Sequence, residues 1–158
     1  MTEILHATAA RYPDLDLDRV AIRGWSAGGT LAALAVLRRP DVFHAAVAGA
    51  PVTDMRLYSS HWQERYLGDP HEDPQAYDRN SLIADAPNLR RPLLLIHGLL
   101  DDNVHPAHTT LLSRALLDAG RPHTVLPLPG AGHMISRAET WAGLLPYEAA
   151  WLREALTP

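Results

Sequence analysis

The sequence predicts an α/β protein, a parallel sheet of about four strands with flanking helices, in a single domain over residues 1–158. Three observations predict it. Four short apolar runs have the length and content of strands buried on both faces. Segments of helical periodicity alternate with them, and strands joined by helices run parallel. A glycine-rich turn with a serine at its centre lies between the first strand and the next helix, at the strand end where such sheets bind ligands.

Taken in order, Glu3 to Arg11 reads as a short helix ended by Tyr12-Pro13. An aspartate-rich turn leads into Val20-Ala21-Ile22, the first strand. Gly24 to Gly29 is the tight turn, and Thr30 to Arg39 an alanine- and leucine-rich helix with arginines in its last turn and Pro40 as a stop. Ala45 to Ala50 is the second strand, closed by Pro51. Residues 52–91 are the least regular stretch, rich in aromatics, aspartate, proline and arginine. Leu93 to Ile96 is the strongest strand and ends at His97-Gly98. Thr109 to Ala119 is helical, with Leu112, Leu116 and Ala119 on one face and Gly120 as its C-terminal cap. Thr124 to Leu126 is the fourth strand and opens into the loop around His133. Trp141 to Leu156 is the last helix, restarted or kinked at Pro146.

Composition excludes more than it assigns. With 14 basic and 18 acidic side chains the formal charge is −4, so no general attraction for nucleic acid or anionic lipid is expected. The absence of cysteine excludes a disulfide scaffold, a thiolate nucleophile and a cysteine-bound zinc. No apolar run is long enough to span a membrane, and Met1 to His6 lacks the basic patch and apolar core of a signal peptide. A cytoplasmic location is therefore expected. No clustered His/carboxylate pattern and no phosphate-binding G-x-x-x-x-G-K-[ST] occurs, so neither a metal nor another cofactor is expected.

Chemistry enters at Gly24-Trp25-Ser26-Ala27-Gly28, which matches G-x-S-x-G in its strand–turn–helix setting. A serine on so sharp a turn needs neighbours without side chains. A serine alcohol also needs a base, so a histidine and its carboxylate should lie downstream in the order Ser, acid, His. Of 9 histidines, His133 sits in a glycine-rich loop after the fourth strand, where an imidazole can reach Ser26. His97, ending a strand, suits core packing or a bond to a loop. His6, His44, His61, His71, His105, His108 and His123 read as solvated. Asp101 and Asp102 both follow the third strand, and spacing alone does not separate them. Asp54 sits one strand too early.

These motifs together resemble the prolyl oligopeptidase family, in its dipeptidyl-peptidase branch. Gly24-Trp25-Ser26-Ala27-Gly28-Gly29 is similar to that branch's G-W-S-x-G-G. Ala50-Pro51-Val52, Glu64-Arg65-Tyr66-Leu67-Gly68, His97-Gly98-Leu99-Leu100-Asp101-Asp102-Asn103-Val104 and Gly132-His133 follow in the family's order. The resemblance implies the C-terminal portion of an α/β-hydrolase catalytic domain and a serine peptidase that cleaves a small peptide through an acyl-enzyme. It makes Ser26 the nucleophile, Asp101 the acid and His133 the base. The Ala27 N–H becomes an oxyanion donor, Asn103 a donor to a substrate carbonyl, and Tyr58 and Trp62 walls of a proline pocket. Glu64, Arg65 and Tyr66 read as structural. Ala27, Thr30 and Met55 stand where the family carries larger aromatic groups, which loosens the pocket against strict proline selectivity. Aminopeptidase action also needs an anchor for a peptide's free amine, and no residue here reads as one, which makes a general esterase the alternative.

Only 25 residues precede Ser26, room for one strand, whereas the fold usually places several before its nucleophile. The usual N-terminal strands and the tyrosine that supplies a second oxyanion donor are then expected to be missing. The first strand is expected to show an open apolar edge, covered by a second copy or an upstream segment. Loss of one oxyanion donor is worth about 10²–10³ in turnover, so a catalytically weak remnant is the other alternative.

Overall fold

A computed structural model describes residues 2–157. The elements in chain order are α1 (Thr2–Arg11), β1 (Ala21–Trp25), α2 (Ala27–Arg38), β2 (Ala45–Gly49), α3 (Ser60–Leu67), α4 (Pro74–Arg79), β3 (Leu93–Gly98), α5 (Ala107–Asp118), β4 (Thr124–Leu128) and α6 (Ala138–Ala155). Single 3-10 turns at Met55–Leu57 and Ala86–Asn88 complete the irregular stretch before β3. The sheet has 4 strands in the order β1-β2-β3-β4, and every pair is parallel.

Alternation along the two central strands builds a core on each face. Ala46, Ala48, Leu93 and Leu95 face α2 and α5, meeting Ala32, Ala33, Val36, Leu112 and Leu116. Val47, Leu94 and Ile96 face the other way and meet Leu144, Trp141, Trp151 and Leu152 of α6. Each of Leu93 to Ile96 is 0% exposed, and full burial of such a side chain stabilises by about 1.5–3 kcal/mol. β2 carries small residues because α2 lies close against it. A Cβ at Gly29 would run into the Gly49 carbonyl.

Two boundaries at the turn differ from expectation. β1 continues to Trp25, in register with Gly49, because ladder bonds come from the backbone and Gly24 does not interrupt them. α2 begins at Ala27, three residues early, so Gly28 and Gly29 are helical. The reversal is concentrated at Ser26, with φ 57° and ψ −123°. β4 likewise runs on to Leu128.

α6 runs uninterrupted from Ala138 to Ala155 with Pro146 inside it. That proline has no N–H for the Ala142 carbonyl, but tertiary packing of Leu144 and Trp151 holds both sides of it in one helix. α5 ends as its sequence indicates: Gly120 takes φ 66°, its N–H donates to Leu117 O, and the Arg121 N–H donates to Leu116 O. β1 is one edge of the sheet, with mostly half-buried residues. Among the described residues no helix is long and apolar enough to cross a membrane.

Candidate active site

Ser26 occupies the N-cap position of α2, where a serine hydroxyl ordinarily bonds a nearby helix N–H. It makes no such bond. Its Oγ lies 3.0 Å from Nε2 of His133. The elbow that presents it is held from three sides: Ser26 N–H donates to Gly49 O, Thr30 N–H to Ser26 O, and Thr30 Oγ1 both donates to Val52 O and accepts from Val52 N–H. Gly24 is sterically required, since a Cβ there would overlap the Gly28 carbonyl. Gly28 itself faces open space, so its steric role differs from that expected. Its backbone is the obstacle, not its lack of a side chain.

Ser26 and Ala50 are the non-glycine residues with positive φ among those described, at 57° and 42°. Each directly follows one of the adjacent strands β1 and β2. Such conformations cost roughly 1–3 kcal/mol each, and here they turn the chain sharply beside the serine. Ala27 is exposed and opens α2, so its N–H is among those without an intrahelical acceptor.

His133 arrives on the loop between β4 and α6. Its Nδ1 is 2.8 Å from Asp101 Oδ2 and its side chain is 14% exposed. The carboxylate accepts the Nδ1 hydrogen, which leaves the Nε2 lone pair facing the serine hydroxyl. Asp101 follows β3, its side chain is 0% exposed, and Oδ1 accepts from the N–H groups of Asn103 at 3.0 Å and Val104 at 2.8 Å. The structure thus separates the two aspartates that spacing left equal: Asp102 is exposed. Asp54 instead caps the 3-10 turn, accepting from Arg56 N–H and from Ser81 Oγ.

His97 lies beneath this cluster, 2% exposed. Nε2 donates to Val104 O at 2.7 Å, and Nδ1 therefore accepts from Thr109 Oγ1 at 2.6 Å. Burial pushes its pKa down, and the ring is a neutral strut under the loop that carries Asp101. His108 departs from the expectation of a solvated residue. It is 0% exposed, Nδ1 accepts from Thr53 N–H at 3.1 Å, and burial lowers its pKa to about 4. The α5 periodicity that buries Leu112 also buries position 108, four residues earlier.

Tyr58 and Asn103 come together. The tyrosine hydroxyl donates to Asn103 Oδ1 at 3.1 Å, which fixes the amide and leaves its NH2 group for another acceptor. Trp62 is apart from them in its contacts: it is 54% exposed on α3 and packs on Tyr66, 64% exposed, at 5.2 Å between ring centres. Glu64 and Arg65 are exposed as well, so none of these three neighbours is a core residue. α3 lacks any buried position, which explains why its aromatics stay at the surface.

Trp25 was not singled out by the sequence reading. Its indole N–H donates to the His133 carbonyl at 2.9 Å, and Trp141 does the same to Ile135 O at 2.9 Å. The two rings lie 6.2 Å apart. Both ends of the histidine segment are thereby tied to the elbow and to α6. The adjacency of Trp25 to Ser26 was the available signal. Two sizeable cavities, about 670 and 720 Å³, are lined by residues such as Arg91, Arg121 and Trp151, or Leu5, Leu15 and Leu156, and hold none of the candidate site residues. Among the described residues no group of three His, Asp or Glu side chains is placed to hold a metal.

A parallel sheet whose first strand ends in a strained serine elbow, with acid and histidine supplied after later strands, defines the α/β-hydrolase class. Comparison with known proteins gives the family. The sequence profile of the prolyl oligopeptidase family matches residues 1–158, and the chain belongs to that family. It is 43% identical over 141 residues to dipeptidyl peptidase 8 of Homo sapiens, covering 87% of this chain and 16% of that protein. It is 34% identical over 127 residues to inactive dipeptidyl peptidase 10 of Rattus norvegicus, covering 80% of this chain and 16% of the relative. The structure of Porphyromonas gingivalis dipeptidyl peptidase 4 superposes with a TM-score of 0.88 at 34% identity, over 98% of this chain and 22% of that one. The chain thus spans about 16% of the length of these curated relatives.

Proposed function

We propose that the chain is a serine peptidase of dipeptidyl-peptidase type that uses Ser26, His133 and Asp101 through an acyl-enzyme. The observation that carries this reading is the continuous path from Ser26 Oγ to His133 Nε2 at 3.0 Å and from Nδ1 to Asp101 at 2.8 Å. His133 takes the serine proton as Ser26 attacks the substrate carbonyl, and Asp101 holds the tautomer and stabilises the imidazolium. The Ala27 N–H receives the oxyanion. The proton then passes from Nε2 to the leaving amine, and water, activated by the same nitrogen, hydrolyses the acyl-enzyme. Asn103 offers its NH2 group to a substrate carbonyl on the acyl side, with Tyr58 as the adjoining wall.

Family membership alone does not carry activity, since one relative is named inactive. A fluorophosphonate probe tests the reading directly. The expected result is an adduct on Ser26 in the folded protein that is absent in Ser26→Ala; absence of that adduct overturns it. A second reading, a general esterase, is favoured by the exposed Ala27 beside Ser26, a small side chain that does not narrow the site. Cleavage of p-nitrophenyl acetate without cleavage of a Gly-Pro anilide selects the esterase.

A further inference from the structure

Resting on the serine-hydrolase reading, we infer that Met134 and the Leu99–Leu100 turn form a subsite for an apolar side chain on the leaving-group side of the scissile bond. The direction of proton delivery places it. His133 Nε2 hands its proton to the leaving amine, so that amine and the residue attached to it lie on the His133 side of the carbonyl. The surface there is apolar. Met134, next to His133, is 77% exposed, and Leu100 and Leu99 are 66% and 50% exposed.

The two segments are joined. Leu99 N–H donates to Leu128 O at 3.1 Å and Leu100 N–H to Ala131 O at 2.9 Å. A Cβ built on Gly132 would touch Leu100 O at 3.6 Å. The turn therefore rides on the histidine loop, which Trp25 holds through the His133 carbonyl. Exposed apolar side chains carried on two hydrogen-bonded segments beside a reacting group mark a binding surface. Methionine adapts its shape to different apolar partners. The exposed Asp102 beside the turn disfavours an acidic residue at the same place.

Acyl transfer to amines reads this subsite without requiring any particular acyl group. Ser26 is acetylated by p-nitrophenyl acetate, releasing p-nitrophenolate as a burst. Leucinamide or glycinamide, two amines of closely similar basicity, then competes with water. The amine nitrogen bonds the acetyl carbon, the bond from that carbon to Ser26 Oγ breaks, and one amine proton passes through His133 Nε2 to Ser26 Oγ. The products are the N-acetyl amide and free serine. By microscopic reversibility the attacking amine occupies the leaving-group position.

The expected result is capture of leucinamide about fivefold more efficiently than glycinamide, as for partial burial of one leucine side chain. Met134→Ser and Leu100→Ser each reduce that preference towards parity, while Met134→Leu keeps it. Equal capture of the two amines by the native chain, or a preference unchanged in both serine variants, overturns the subsite alone. Absence of the burst overturns the serine-hydrolase reading and the subsite with it.

Discussion

Replacing Asp101 by asparagine tests the site at its least conspicuous member. The carboxylate is fully buried, and Oδ1 is held by two backbone donors, Asn103 N–H at 3.0 Å and Val104 N–H at 2.8 Å. Those donors accept only an oxygen opposite them, so the asparagine amide must place its oxygen there and its NH2 where Oδ2 stood. The NH2 then faces His133 Nδ1 across 2.8 Å and makes it an acceptor. The imidazole hydrogen moves to Nε2, which now donates to Ser26 Oγ and has no lone pair for its proton. Loss of turnover of about 10⁴ is expected from the wrong tautomer alone. Stability falls by only about 1–3 kcal/mol, because both backbone donors keep an acceptor. Alanine would be a poorer choice, since it leaves both donors unsatisfied inside the protein. The assay is the second-order rate of fluorophosphonate labelling of Ser26, with thermal unfolding as the control for folding. A labelling rate within tenfold of the native chain, in a variant that remains folded, would refute the tautomer argument.

Three further outcomes follow from the geometry. Ser26→Gly abolishes labelling but is more stable than Ser26→Ala by about 1 kcal/mol and so melts at a higher temperature, because φ 57° strains any residue with a Cβ; equal melting temperatures would contradict stored strain at the elbow. Gly24→Ala fails to fold stably, since its Cβ meets the Gly28 carbonyl, whereas Gly28→Ala, with nothing within 4 Å, keeps the fold in urea titrations. His108, lowered from 6.5 to about 4 by burial, is neutral when folded, so the unfolded chain binds its proton first as pH falls. Native stability should drop by up to about 3 kcal/mol between pH 6.5 and pH 4 and level off below, with no part of that loss above pH 7. His108→Asn, whose Oδ1 stands near the place of Nδ1, keeps an acceptor for Thr53 N–H and loses this component. A drop of equal size in both proteins would assign it elsewhere.

The parallel α/β order was legible because strand and helix periodicities differ and because α-helical crossovers admit only parallel neighbours. Element ends were less legible. Gly24 and Gly28 both signal a turn, yet one is in a strand and the other in a helix, because a single strained residue between them completes the reversal. A polar side chain in a helix is solvated by default, and only the segment after β2, which brings the Thr53 N–H to His108, makes that residue a buried acceptor. Trp62 stays at the surface because its helix buries no face.

The layered α/β architecture, the serine elbow and the short set of acids and histidines able to serve it follow from local periodicity and from a motif with a steric rationale. Tertiary structure decided which of them meet. Asp101 rather than Asp102 faces His133 because two backbone N–H groups, brought round by the turn after β3, orient a carboxylate that has no access to water. Side chains 32 and 107 residues apart from His133 lie within hydrogen-bond reach of it only because the parallel strands end at one rim of the sheet. That distance is a property of packing, which no local pattern encodes.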